Sequence, residues 1–71
     1  MSVTLEWVTA ATAGARVVGP GGEAADGQRA ERPDWIVLEF GHGDSGGVAI
    51  QGTRRDVARF LARATEAVAA A

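Results

Sequence analysis

The alternation of apolar and polar positions along the chain predicts four short strands and one helix. Val3, Leu5 and Trp7 fall on one side of a period-two run and Thr4 and Glu6 on the other, the pattern of a half-buried strand over Val3–Val8. This arrangement makes Trp7 a core residue. Thr9–Ala13 is ambiguous, and after a turn at Gly14 the segment Ala15–Val18 reads as a second strand completing a hairpin. The strongest strand is Asp34–Phe40. Ile36, Leu38 and Phe40 point one way, Trp35 and Val37 the other, so both faces need cover. Val48–Gln51 alternates again as a fourth strand with Val48 and Ile50 inward, closing a second hairpin.

The period then changes. Val57, Phe60, Leu61, Ala64 and Val68 recur at spacings of three and four, which predicts an amphipathic helix over residues 53–70. Thr53 stands at the N-cap with Asp56 three residues on, a variant of the capping box. Phe60 and Leu61 are the positions expected to insert deepest. The fold class is therefore α+β: a small antiparallel sheet of about four strands, in two hairpins, packed on one C-terminal helix.

Residues 19–33, from Gly19-Pro20 to Pro33, contain no apolar residue larger than alanine apart from the two prolines, and are rich in Gly and charge. Burial there cannot repay ordering entropy, so this stretch reads as a flexible loop within a single domain, residues 1–71. The second face of the central strand must be covered by that loop or by a partner chain, or be left open. A partner interface at Trp35 and Val37 is the expectation.

Composition narrows the chemistry. The chain has no cysteine and one histidine, which removes disulfides and thiolate metal sites and leaves no metal-binding set. A domain of this size without such staples often gains stability by self-association, so a homodimer is expected. All seven basic residues are arginine, the bias of a GC-rich, actinobacterial-like coding sequence, and the net charge is −2. That balance gives no global attraction to nucleic acid or to an anionic membrane. Residues 1–7 lack the cationic start and apolar run of a secretory signal, and a cytoplasmic location is expected.

Gly43-Asp44-Ser45-Gly46-Gly47 resembles the sequence around the nucleophile of trypsin-like serine proteases. That family needs a histidine and an aspartate from distant parts of two barrels, whereas here His42 lies three residues from Ser45. The segment reads instead as a hairpin turn, and His42 with Asp44 supplies too few ligands for a metal. No acid–base pair, cofactor motif or phosphate loop remains, and a non-enzymatic interaction module is the expected class.

Arg54, Arg55, Arg59 and Arg63 form the one local basic feature. As a solvated helix face they would pair as Asp56–Arg59 and Arg63–Glu66; as a functional face they would contact phosphates. The order of four strands followed by a helix resembles that of PC4-like single-strand binders. This resemblance implies nucleic-acid binding as the alternative function.

Overall fold

A computed structural model describes residues 5–42 and 47–71. Three strands and one helix follow in order: β1 (Gly14–Val18), β2 (Ile36–Gly41), β3 (Gly47–Gly52) and α1 (Arg54–Ala70). The sheet is antiparallel with β2 in the centre and the strands in sequence order. The α+β class holds, with three strands among the described residues where four were expected.

The strand expected at Val3–Val8 is absent over its described part, residues 5–8. Alternation can mark a chain's two sides, but a strand also needs a neighbour to accept its hydrogen bonds. After this segment the backbone turns at Thr9–Ala13, where the Thr12 and Ala13 amides both donate to the Thr9 carbonyl, at 3.1 and 3.0 Å. Trp7 is consequently 87% exposed rather than part of the core, and Leu5 is exposed as well.

Pairing across the sheet assigns its two faces, because directly opposed residues of antiparallel strands project to the same side. On one face lie Ala15, Phe40 and Val48 in one row and Val17, Leu38 and Ile50 in the next, with Ile36 opposite Gly52. On the other face the rows are Gly14–Gly41–Gly47, Arg16–Glu39–Ala49 and Val18–Val37–Gln51. The division of β2 into Ile36/Leu38/Phe40 and Val37 sides follows its sequence pattern.

The helix begins where predicted. The Thr53 hydroxyl oxygen accepts from the Asp56 amide at 3.0 Å and satisfies one of the unpaired donors of the first turn. Val57 then packs on Ile36 and Leu38, with Phe40 and Ile50 around them. Val57 is the buried residue of α1, not Phe60 or Leu61, each of which is 43% exposed. The helix packs chiefly on the edge strand β3 and leaves the same face of β1 uncovered, where Val17 is 56% exposed. Its contact with the sheet is confined to its first turns, so the later stripe residues have nothing beneath them.

The opposite face is covered by the loop at residues 19–33, which carries no strand or helix of its own. Two side chains of the sheet hold it: Glu39 Oε1 accepts from the Ala25 amide at 2.6 Å, and Gln51 Oε1 accepts from the Glu31 amide at 2.8 Å. Between these points the chain folds back on itself, with the Ala24 amide donating to the Gln28 carbonyl and Asp26 accepting from the Gln28 amide. Gly27 turns there with φ 85°, a conformation that favours glycine. A Cβ on Gly22 would lie 2.6 Å from Val18 Cγ1, so the loop backbone sits directly on that side chain. Val18 and Val37 are buried as a result.

Candidate interaction surface

Two surfaces flank the sheet, and they differ in what remains open. On the loop side, Val37 is buried within the single chain and Trp35 is half-buried, its amide donating to the Arg32 carbonyl at 3.2 Å. The loop covers this face at Val37, so that residue offers no surface to a partner. A cleft of about 840 Å³ remains under the loop because the row Gly14–Gly41–Gly47 and Ala49 provide no side-chain bulk.

The polar groups on that cleft are already engaged. Arg16 forms an ion pair with Glu39, its Nε donating to Oε2 at 2.8 Å and its Nη2 to the same oxygen. The Ala25 amide and then the Arg16 guanidinium hold the Glu39 carboxyl below its ordinary pKa of 4.5. These bonds tie the loop to the sheet. No free acid or base converges on the cleft among its described lining residues.

At the end of β2, His42 Nε2 lies 3.0 Å from Thr12 Oγ1 and 3.4 Å from the Thr9 carbonyl. Protonated at Nε2, the ring donates to this pair and fastens the Thr9–Ala13 turn to the sheet. Asp44 and Ser45 of the Gly-Asp-Ser-Gly-Gly motif lie outside the described residues. No group of three potential metal ligands occurs among the described residues.

The helix side is where apolar surface stays exposed. At about 100° per residue, Val57, Leu61, Ala64 and Val68 fall within an arc of about 60°, with Phe60 and Ala67 on one flank. The stripe is continuous, yet its cover ends after the first turns: Val57 is buried, Phe60 and Leu61 are half open, and Val68 is 76% exposed. Val17 on the same side of the sheet is 56% exposed. The sequence identified these stripe residues but placed them in the core. Periodicity marks the apolar side of the helix and carries no signal for how much of that side the sheet meets.

Arg54, Arg55, Arg59 and Arg63 are all exposed, and Arg55, Arg59 and Arg63 follow one another at intervals of four along the side away from the stripe. The ion pairs among the described residues are Arg16–Glu39 and Arg29–Glu23; the pairs Asp56–Arg59 and Arg63–Glu66 do not close. No helix among the described residues is long and apolar enough to cross a membrane.

The fold and these surfaces define a three-stranded antiparallel sheet carrying an overhanging amphipathic helix. Comparison with protein families, curated proteins and solved structures gives no match.

Proposed function

We propose that this chain is a non-enzymatic protein-interaction module that works through the apolar stripe of α1. The observation that carries the reading is the exposure of Phe60, Leu61 and Val68 on the same stripe whose first residue, Val57, is core. Contiguous apolar surface of this kind on a polar-backed helix is the signature of a docking face. The Trp35/Val37 side is the weaker candidate, since Val37 lies beneath the loop.

The test is a photo-crosslinking residue placed at position 61, on the stripe, or at position 59, on its far side, in the full chain expressed in cells. A discrete adduct of defined mass at 61 and none at 59 supports the reading. The absence of any discrete adduct at 61 overturns it.

The second reading, nucleic-acid binding by the helix arginines, is favoured by one observation: Arg55, Arg59 and Arg63 are aligned and make no ion pair among the described residues. Such binding would weaken steeply with added salt, in proportion to the phosphates contacted. No binding of single- or double-stranded DNA at low salt would remove it.

A further inference from the structure

We infer that the occupant of the α1 stripe is the same stripe on a second copy of this chain, the two helices packed antiparallel about Ala64. The inference rests on the interaction-module reading and adds the partner's identity and orientation.

Surface area supplies the first argument. The chain exposes 5733 Å², whereas a compact monomer of 7.3 kDa exposes about 4,200 Å², an excess of roughly 1,500 Å². A standard interface takes about 800 Å² from each partner. The radius of gyration agrees: 13.1 Å against about 11 Å for a compact chain of this length. Part of that excess lies on the stripe, where Phe60 and Leu61 are each 43% and Val68 76% exposed, and part lies outside it, at Leu5 and Trp7.

The second argument is the distribution of size along the stripe. Its first half holds Phe60 and Leu61, and its second half holds Ala64, Ala67 and Val68. A parallel pair would set the large residues against large and the small against small, leaving a bulge and a gap. An antiparallel pair centred on Ala64 sets Phe60 against Val68 and Leu61 against Ala67, on both sides of the two-fold axis. Large then meets small throughout, with the small central residue permitting close approach of the helices. The contact is isologous, so it closes with two copies.

Charge is the third argument. Arg54 borders the stripe at the start of the helix, whereas Arg55 and Arg59 lie on its far side, and the last turn has no basic residue to offset the carbonyl end of the helix dipole. A parallel pair would bring the two Arg54 side chains towards each other. The antiparallel pair carries each towards its partner's uncompensated C-terminal end.

The full chain contains no cysteine, so single introduced cysteines report the geometry directly. Under mild oxidation Ala64→Cys should form a disulfide-linked dimer. Val68→Cys alone should not, because antiparallel copies of position 68 are separated by about 12 Å along the axis, beyond disulfide reach. A mixture of Phe60→Cys and Val68→Cys chains should link. Light scattering should give a dimer for the unmodified chain and a monomer for Val68→Glu, with dimer affinity reduced on the order of 100-fold by the buried charge. Val68 is exposed in the single chain, so an unchanged helical circular dichroism spectrum separates lost dimerisation from lost folding. Efficient self-linking of Val68→Cys would overturn the antiparallel orientation. A monomer at about 100 µM, a concentration that populates dimers of micromolar affinity, would overturn the inference altogether. In that case an adduct of position 61 with a different protein would leave the interaction-module reading standing, whereas no adduct would remove both.

Discussion

At the scale of single residues, Glu39 has the most work to do. It accepts from the Ala25 amide with one carboxylate oxygen and from Arg16 with the other, so one side chain links the centre of the sheet, its edge strand and the loop. Because its folded pKa lies below the ordinary 4.5, the unfolded chain takes up the proton more readily. The stabilisation is thus fully present above the unfolded value and is lost as pH falls through the lowered folded value. Glu39→Gln retains an acceptor for Ala25 and removes the charge. Its deficit in urea-unfolding stability relative to the unmodified chain should be present at pH 7 and shrink below about pH 4. A deficit of equal size at pH 7 and pH 3 would count against this role. Gly47 presents a different constraint: a Cβ there would sit 2.5 Å from the Phe40 carbonyl oxygen, a backbone atom that cannot swing away. Gly47→Ala should therefore lower the melting temperature, by several degrees for a loss of about 1 kcal/mol or more.

At the scale of elements, stability is concentrated at the start of the helix. Thr53→Ala removes the acceptor for the Asp56 amide and should cost about 1 kcal/mol, measured by urea unfolding. Val57→Ala strips two methyl groups from the contact with Ile36 and Leu38 and should cost about 2 kcal/mol in a dilute, monomeric sample. Phe60→Ala, at a half-open position, should cost less than Val57→Ala in the same sample despite the larger side chain removed. The reverse order would place Phe60 in the core. These elements also show what could be read beforehand. The helix, its cap and the two faces of β2 were legible because each is written in local spacing. The Val3–Val8 strand was not, because alternation names the sides of a segment without naming a neighbour to pair with. The depth of Phe60 is not legible for a related reason: periodicity marks which face of the helix is apolar, not how much of that face the sheet meets. The two loop anchors have no local signature, because Glu39 and Gln51 act on amides 14 and 20 residues away in the chain.

At the scale of the whole molecule, the small core and the long helix belong to one problem. The buried apolar residues among those described are Val18, Ile36, Val37, Leu38 and Val57, divided between the two faces of the sheet. A chain with so little interior has little margin, and covering the overhanging stripe would add burial that the single fold does not contain. If folding and pairing are coupled, the melting temperature must depend on protein concentration. Each tenfold rise in concentration contributes about 1.4 kcal/mol per dimer. Spread over an unfolding entropy of about 2.1 cal/mol/K for each residue of two chains, this raises the melting temperature by about 4–5 °C. Val68→Glu, which leaves the monomer's contacts in place, should melt at a temperature independent of concentration and match the unmodified chain only at high dilution. A flat concentration dependence for the unmodified chain, over a range in which light scattering shows it dimeric, would mean that pairing persists without supporting the fold. The stripe would then serve association alone, with the sheet, its loop and the first turns of α1 sufficient to hold the domain together.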